Sequence, residues 1–470
     1  MQLKLYNTET RQQEAVTPLD GVKIRMYTCG PTIYDYAHIG NFRTYVFEDV
    51  LRRSLQFFGW PVEQAMNLTD VDDKTMKRAI DEGLPLKEAT EPYKIAFFED
   101  LRRLNIQRCE HYPAATDYIP EMIRMIQQLL KKGFAYTSAN GSVYFSIRKF
   151  SSYGRLSHLN LSELKENASG DNEADDTKDN IADFVLWKMY DPERDGSIYW
   201  ESPFGKGRPG WHIECSAMAT KLLGDSIDIH CGGVDNLFPH HENEIAQSEC
   251  CTGHRFVAHW VHVEHLLVGH KKMSKSLGNF YTLRDLLTKG YTGPELRYLL
   301  LSTHYRIQLN FTFEGLDAAR SSLRRIGDFI QRLRDTSPAQ KKISYAAASL
   351  EKADLRFKEA LADDINISPA LAVLFDLIRE LNALCDEGKM GKKDAEETLA
   401  LFERWDEVLA VLPLRSNEEE IPSDLLECLE KREQARREKN WRLSDQMRDA
   451  ISSRGYLIED TPNGARLKKQ

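Results

Sequence analysis

Two adjacent histidines and two glutamates in the stretch FPHHENE (238–244) are candidate metal ligands, because they follow a proline that can open a helix. Positions four apart on a helix share one face, so His240 and Glu244 are predicted to converge, while His241 pairs with Ile245 on another face. One histidine and one glutamate do not complete a zinc site, which usually takes four ligands. The missing ligands must come from other segments.

A second group of candidate residues is basic. The stretch VGHKKMSKSLGNF (268–280) places lysines between two glycines, which predicts a loop that could close over a phosphate. A charge run of this kind is more often a solvated surface. His38, in PTIYDYAHIGN (31–41), lies close to a predicted helix start, where free backbone N–H groups favour phosphate. A helix-capping role for this histidine is the alternative.

The elements that must position these residues form a βαβ pattern. The stretches VKIRMYTCG (22–30) and VEQAMNL (62–68) predict strands, and DSIDIHCGG (225–233) predicts that the sheet resumes after a long insertion. Ligands bind parallel sheets at the carboxyl ends of the strands, where Cys29 and His38 lie. Between the first two strands, FRTYVFEDVLRRSLQFFGW (42–60) predicts a helix whose apolar face holds Val46, Val50, Leu51, Leu55 and Phe58.

Composition limits the class of protein. The chain has 470 residues, of which 41% are hydrophobic and 29% charged, so it should form about three globular domains. No apolar run reaches the length of a signal peptide or membrane helix, so we expect a cytoplasmic protein with no membrane contact. The eight cysteines have no regular spacing, which favours reduced thiols. A net charge of -9 argues against non-specific nucleic-acid binding by the whole surface but permits a local basic patch that binds RNA.

Five motifs carry a resemblance to a known family. PTIYDYAHIGN resembles the HIGH motif of class I aminoacyl-tRNA synthetases, and KMSKS (272–276) matches their second motif in full. NLTDVDDK (67–74), GWHIECSAM (210–218) and GGVDNLFPHHENEIAQ (232–247) narrow the resemblance to the cysteinyl-tRNA synthetases. The match runs over most of the chain, in the order and spacing of the family.

The resemblance implies an α/β fold: a Rossmann-type parallel-sheet catalytic domain with a connective insertion, then a helical bundle and a small C-terminal anticodon-binding domain. The stretch KENASGDNEADDTKDN (165–180) predicts a mobile loop, and PLRSNEEEIPSD (413–424) a linker. The two halves of the catalytic domain are predicted at 1–115 and 206–255, with the insertion at 116–205 between them. A stem-contact region with the KMSKS loop follows at 256–312, then the bundle at 313–412 and the anticodon-binding domain at 420–470. The apolar face of the bundle includes Leu371, Leu374, Phe375 and Ile378.

The family also implies a reaction and its ligands. L-cysteine and ATP, with Mg²⁺, would give cysteinyl-adenylate, and the cysteinyl group would pass to tRNA(Cys); a monomer is expected. One zinc ion per chain would select the substrate thiolate, since apolar packing separates cysteine from serine by only about 1 to 3 kcal/mol. The family's zinc ligands correspond to Cys29, Cys215, His240 and Glu244. His241, Glu242 and the remaining cysteines then lie outside the site, with Cys231, Cys250 and Cys251 as core residues.

Other site residues follow from the same resemblance. His38, Lys272 and Lys275 would contact the phosphates, Lys275 foremost. Asn41 occupies the place of the second HIGH histidine; its amide can donate a hydrogen bond but carries no charge. Thr69 and Trp211 are pocket candidates beside the zinc, and a core-packing role for both is equally open. Gly30 is a further substrate- or ATP-binding candidate, and Gly233 and Asp235 could approach the adenosine ribose.

The C-terminal segment predicts an RNA-binding tail. KREQARREKNWRLSDQMRD (431–449) predicts one helix, and GYLIEDTPNGARLKK (455–469) resembles the family's closing strands, with Leu467 where a tryptophan is common. Interleaved acidic residues make a solvated, salt-bridged helix the alternative. The helix would carry Lys431, Arg432, Arg436, Arg437, Lys439 and Arg442.

Three other functions stay open from the sequence. A cysteine ligase acting on an amino sugar resembles the same family but needs no anticodon-binding tail. A small nucleotidyltransferase uses a HIGH-like loop but lacks the zinc ligands and KMSKS. A non-catalytic zinc-containing RNA-binding protein belongs to a different class, and cysteine-dependent ATP–pyrophosphate exchange would separate it from the enzymes.

Overall fold

A computed structural model describes residues 1–159, 182–274, 277–336, 345–414, 423–461 and 464–469. The predicted mobile loop at 165–180, most of the predicted linker at 413–424, and Lys275 lie outside the described residues. In the part of the chain that is described, no helix combines the length and apolar character needed to cross a bilayer.

The described strands and helices alternate through the first two thirds of the chain, and helices dominate afterwards. The strands are β1 (Lys4–Asn7), β2 (Gln12–Ala15), β3 (Ile24–Thr28), β4 (Val62–Met66), β5 (Ala135–Thr137), β6 (Val143–Phe145), β7 (Phe184–Met189), β8 (Gly207–Pro209), β9 (Ile227–Gly233), β10 (Val257–Val263), β11 (Leu266–Val268), β12 (Lys271–Lys272), β13 (Leu309–Phe311), β14 (Tyr456–Thr461) and β15 (Gly464–Lys469). The helices are α1 (Ile39–Phe57), α2 (Asp73–Glu82), α3 (Leu86–Arg103), α4 (Ile119–Lys131), α5 (Pro192–Asp195), α6 (Trp211–Leu223), α7 (Glu242–Thr252), α8 (Leu283–Thr288), α9 (Gly293–Leu301), α10 (Phe313–Arg334), α11 (Ala347–Ala362), α12 (Ile367–Asp386), α13 (Lys392–Leu409), α14 (Ser423–Arg437) and α15 (Trp441–Ser453).

A four-stranded parallel sheet in the order β10-β9-β3-β4 forms the centre of the molecule. The predicted strands at 22–30, 62–68 and 225–233 correspond to β3, β4 and β9, which confirms the α/β fold class. The sheet also contains β10, so its pairing runs past the boundary predicted at residue 255. Parallel strands need crossover connections, and the crossover between β3 and β4 is α1.

Helix α1 buries the apolar face that the sequence predicts. Val46, Val50, Leu51 and Leu55 are all buried in the main hydrophobic core. Phe58 lies just beyond the helix end and is half-buried against that core. The helix begins three residues earlier than predicted, because His38 caps it.

Two further sheets, one of four strands and one of three, accompany the parallel one. Strands β5, β6, β7 and β8 form an antiparallel sheet within the connective insertion. Strand β11 pairs antiparallel with β12 and parallel with β13. Strand β12 is the start of the KMSKS stretch, so one end of the predicted phosphate loop is anchored in a sheet.

The described residues of the predicted bundle, 313–412, form the four helices α10, α11, α12 and α13. In α12, Leu371, Leu374 and Ile378 are buried, while Phe375 is half-buried on the same face.

The tail folds around a separate small core of Leu425, Leu429, Ile451 and Leu467. The prediction of one continuous helix through 431–449 is wrong: α14 ends at Arg437, and α15 begins at Trp441. The break has a local cause, because Lys439 has a positive φ of 61° and the Asn440 side chain accepts a hydrogen bond from the Leu443 amide, capping α15.

Candidate metal and nucleotide site

The predicted site residues meet at the carboxyl end of the parallel sheet. Cys29 follows β3, and its amide donates to the Cys231 carbonyl of β9 at 3.2 Å. Gly30 comes next; its amide donates to the Asn67 side-chain oxygen at 2.9 Å. A Cβ on Gly30 would lie 1.9 Å from the Asn67 carbonyl oxygen, so only glycine fits between these two chain segments.

Four predicted metal ligands converge at this edge. The candidate ligand atoms of Cys29, Cys215, His240 and Glu244 all lie within 4.8 Å of one another, and all four residues are buried. Cys29 follows β3, Cys215 lies in α6, and Glu244 lies in the first turn of α7. The Nε2 atom of His240 lies 3.1 Å from Oε1 of Glu244. Three separate chain segments therefore supply one set of sulfur, nitrogen and oxygen donors.

A second set overlaps the first. Cys29 and Glu244 also lie within 4.8 Å of His230 and His241, and the Nε2 atom of His241 lies 3.4 Å from the Cys29 sulfur. The prediction that His241 points to a different face is therefore wrong. Residues 237–241 form a wide turn in which Phe238 is extended (φ −137°, ψ 132°), so regular helical spacing starts only with α7 at Glu242.

Sequence reasoning missed a chain of histidines around the cluster. The Nδ1 atoms of His212 and His240 lie 2.9 Å apart, and Nδ1 of His241 lies 2.8 Å from Nε2 of His262. His262 in turn contacts the Thr8 hydroxyl at 2.8 Å. His212 lies in the motif WHIEC and His262 in strand β10, but only the fold shows that their rings are neighbours of the cluster.

The remaining glutamate of FPHHENE has a structural role. The Glu242 carboxylate accepts hydrogen bonds from the Gly154 amide at 2.8 Å and from the Ser157 amide at 2.8 Å. It thereby holds the connective insertion against α7, outside the ligand cluster as predicted. Cys231, Cys250 and Cys251 are buried in the hydrophobic cores, also as predicted.

Opposite charges stabilise one another inside the cluster. Burial raises the pKa of the Cys215 thiol, but the hydrogen bond with Cys29 and the nearby His240 outweigh it and bring that pKa to about 6. Burial lowers the pKa of His240, yet the negative Glu244 and Cys215 raise it to about 10. Burial raises the pKa of Glu244, but His230 and His240 lower it to about 2. Negative donors are therefore available at neutral pH.

The pocket candidates Thr69 and Trp211 border this cluster. The indole of Trp211 stacks on the His240 ring with centroids 4.3 Å apart, while 41% of the residue is exposed. The Thr69 hydroxyl donates to Oε2 of Glu214 at 3.1 Å and accepts from the side-chain nitrogen of Asn67 at 3.1 Å. Glu214 is a further residue that sequence reasoning missed; burial raises its pKa well above the usual value.

His38 and Asn41 form a reciprocal cap at the start of α1. Nδ1 of His38 accepts from the Asn41 amide at 3.2 Å, and the Asn41 side-chain oxygen accepts from the His38 amide at 3.1 Å. The His38 ring also packs edge-on against Phe280, with centroids 5.3 Å apart. The predicted alternative, a helix-capping histidine, is therefore correct for Nδ1.

The described start of the KMSKS stretch, Lys272 to Ser274, lies beside this cap. A Cβ on Gly40 would lie 3.1 Å from the Met273 methyl carbon, and the Ile39 amide donates to the Tyr281 carbonyl at 2.9 Å. The exposed Lys272 is tethered through its carbonyl, which accepts from the Asn279 side chain at 3.2 Å. Lys275 lies outside the described residues.

Gly233 and Asp235 lie where β9 ends. Gly233 closes the strand, and Asp235 lies in the short helical turn Val234–Asn236. A Cβ on Gly233 would come 2.4 Å from Oδ1 of Asp235, so the glycine leaves room for that carboxylate.

This fold and arrangement define a class I aminoacyl-tRNA synthetase. Residues 15–321 match the family described as tRNA synthetases class I (C) catalytic domain, and residues 356–413 match the DALR domain. Solved structures share the fold. A Mycobacterium tuberculosis methionyl-tRNA synthetase bound by methionyl-adenylate is 15% identical, with a TM-score of 0.59 over 83% of this chain and 88% of that one. The LeuRS of the Agrobacterium radiobacter K84 ternary complex is 12% identical, with a TM-score of 0.59 over 84% of this chain and 87% of that one.

Full-length relatives identify the particular family. The cysteine–tRNA ligase of Protochlamydia amoebophila is 61% identical over 100% of this chain and 98% of its own length. That of Chlamydia felis is 54% identical over 99% of this chain and 98% of its own length. The chain belongs to the cysteine–tRNA ligase family.

Proposed function

We propose that this chain activates L-cysteine with ATP to form cysteinyl-adenylate and transfers the cysteinyl group to tRNA(Cys). The observation that carries the proposal is the convergence of Cys29, Cys215, His240 and Glu244 at the carboxyl end of the parallel sheet. Ligands bind open α/β sheets at that end. The full-length likeness to cysteine–tRNA ligases supports the same substrate.

The donor set of the cluster fits zinc. Two thiols, one imidazole and one carboxylate are the groups that zinc prefers, and the buried Oε1 of Glu244 faces Nε2 of His240 at 3.1 Å without the geometry of a hydrogen bond. When bound there, zinc would favour the soft thiolate of cysteine over the hydroxyl of serine. We therefore assign one zinc ion per chain to these four residues.

Two features favour this set over the one that contains His230 and His241. First, it alone offers two sulfur donors. Second, Nε2 of His230 lies 2.9 Å from Oε2 of Glu244 and so holds that carboxylate, whose other oxygen, Oε1, faces Nε2 of His240 at 3.1 Å. Burial and the neighbouring His230 and His262 lower the pKa of His241, so that ring is neutral and orients its neighbours.

The open side of the cluster forms the proposed cysteine pocket. Trp211 covers His240 and is partly exposed, so it can cover a bound side chain as well. Thr69 and Gly30 border the pocket from the β3 and β4 side. The Thr69 hydroxyl already donates to Glu214, so it can accept from the substrate ammonium group.

The proposed ATP site extends from this pocket along the sheet edge toward α1. His38 uses Nδ1 for the cap, so Nε2 is the atom that would contact phosphate oxygens. Lys272 and Lys275 would neutralise charge that develops on the α-phosphate and pyrophosphate, where Mg²⁺ would assist. Asp235, at the end of β9, would accept from the ribose hydroxyls, and Gly233 allows close approach.

The tail from about residue 420 to 470 is proposed to contact the anticodon. Trp441 begins α15 with 60% of its surface exposed, next to Lys439 and Arg442. An exposed indole between cations suits stacking on unpaired bases together with phosphate contact. Leu467, in contrast, is buried in the tail's core and is unavailable for stacking. A monomer remains our prediction.

Cysteine-dependent ATP–pyrophosphate exchange tests the proposal, followed by charging of tRNA(Cys). We expect exchange with cysteine, little with serine, and charging only when both ATP and tRNA(Cys) are present. Exchange without charging would favour the ligase that acts on an amino sugar. No exchange at all would leave the non-catalytic RNA-binding protein.

A further inference from the structure

An aromatic and basic surface lies beside the start of α1 and is not used by the proposed adenylation chemistry. It consists of Tyr34, Tyr36 and Tyr93 together with Lys74, Arg78 and Arg284, and we call it the tyrosine surface. Its residues come from the segment before α1, from α2, from α3 and from α8.

A lysine or arginine side chain lies close to the ring of each tyrosine of this surface. The Lys74 ammonium lies 5.1 Å from the Tyr34 ring centre, and the Arg78 guanidinium lies 4.5 Å from that of Tyr93. The Arg284 guanidinium lies 5.0 Å from the Tyr36 ring centre. The rings are therefore held at fixed angles with positive charge beside them.

The rings remain accessible. Tyr36 is 42% exposed, and its ring meets that of Tyr93 edge-on with centroids 5.2 Å apart. Arg78 also fixes the backbone, since it donates to the Tyr34 carbonyl at 2.9 Å. The exposed part of the Tyr36 ring is thus available to a flat ligand beside Arg284.

Two of the three cations pair with carboxylates. Arg78 pairs with Glu82 at 2.8 Å, and Arg284 pairs with Glu99 at 3.1 Å and with Asp100 at 3.6 Å; both arginine side chains stay about one third exposed. Lys74 is exposed and has its ring contact with Tyr34. Exposed aromatic rings combined with cations favour single-stranded nucleic acid, because stacking and phosphate contact act together.

We propose that the tyrosine surface binds the unpaired 3′ end of tRNA, with Tyr36 as the stacking platform, and guides the terminal ribose toward the adenylate. This inference rests on the proposed function. Its location supports it: Tyr36 lies two residues before His38, and α8 begins directly after Thr282, which bridges to the backbone of His38.

The test compares Tyr36→Leu, Tyr36→Phe and Tyr93→Leu, with Tyr345→Leu as the matched control. Tyr345 is also an exposed tyrosine with a lysine near its ring, at 5.9 Å, but it precedes the bundle helix α11. Three quantities are measured: cysteine-dependent pyrophosphate exchange, single-turnover transfer from preformed adenylate, and fluorescence of tRNA(Cys) carrying 2-aminopurine in its unpaired 3′ end.

We expect Tyr36→Leu to slow transfer at least about tenfold more than it slows exchange and to abolish the fluorescence change, since one base stacked on an aromatic ring contributes that much. Tyr36→Phe should retain both signals, Tyr93→Leu should show a smaller loss, and Tyr345→Leu should match the original protein. Absence of exchange in the unaltered protein would instead refute the proposed function.

Three results would overturn the inference while leaving the proposed function intact. The first is normal transfer and fluorescence with Tyr36→Leu, in which case a protein partner would be sought for the surface. The second is an equal loss of exchange and transfer, which would place the tyrosine in the ATP site. The third is an equal loss of transfer and of the fluorescence change in Tyr36→Phe and Tyr36→Leu, which would exclude stacking on the ring.

Discussion

His38 and Asn41 cap α1 reciprocally, each accepting a hydrogen bond from the other's backbone amide, at 3.2 Å for Nδ1 of His38 and 3.1 Å for the Asn41 side-chain oxygen. Asn41, which departs from the HIGH pattern, therefore has a defined role as part of the cap of α1. Asn41 fixes the first turn of the helix and, with it, the orientation of the His38 ring.

Replacing Asn41 by alanine should slow adenylate formation and lower the free energy of unfolding by about 1 kcal/mol, because the side-chain oxygen that accepts from the His38 amide is lost while the bond from the Asn41 amide to His38 remains. Asn41→Asp should retain the cap, and Asn41→His should be neutral or mildly activating. Single-turnover adenylation and denaturant unfolding measure the two effects. If Asn41→Ala behaved as the original protein in both assays, the cap would have no role in positioning His38.

Lys275→Ala should slow adenylate formation by about a hundredfold or more while zinc content stays unchanged, because a preorganised contact to developing phosphate charge is removed. Lys271→Ala, an exposed neighbour in β12, is the matched control and should have little effect. Near-normal single-turnover adenylation by the Lys275 variant would show that the KMSKS stretch has another role.

The purified protein should contain about one zinc ion per chain. Cys215→Ala combined with His240→Ala should remove it, whereas His241→Ala and the core variant Cys231→Ala should retain it. Elemental analysis after dialysis measures all three. Retention in the double variant with loss in His241→Ala would assign the metal to His230 and His241 instead.

Zinc affinity should also fall with the pH over the range between about 10, the pKa of His240, and about 6, the pKa of Cys215, because each ligand must lose its proton to bind the metal. The sign follows from the ligands: zinc competes with protons for the thiolate, so acid favours release. Zinc content measured across this pH range should therefore decrease together with discrimination against serine.

Truncation after about residue 415 should leave cysteine-dependent exchange nearly intact but greatly weaken charging of tRNA(Cys) and reduce the salt dependence of tRNA binding. The tail has its own core, so its removal leaves the hydrophobic cores that surround the parallel sheet complete. In the full chain, Trp441→Ala should weaken charging about tenfold, as loss of one stacked base predicts. A truncated protein that charged tRNA normally would refute anticodon contact by the tail.

The sequence by itself determined the fold class, the main strands and the helical face of α1, because these depend on local periodicity. Strands β3, β4 and β9 lie where apolar runs predict them, and Val46, Val50, Leu51 and Leu55 are buried. Family motifs supplied the candidate ligands, since Cys29, Cys215 and His240 are far apart along the chain. No local pattern joins them.

Only the tertiary structure decided how the site is arranged. The turn before α7 brings His241 to Cys29, and the packing of β9 and β10 brings His230 and His262 beside it, so two ligand sets overlap. The same holds for Asn41, whose cap depends on backbone geometry, and for the tail, where a left-handed Lys439 splits one predicted helix into two. In each case the deciding term is a turn conformation or a contact between distant segments, which residue periodicity does not encode.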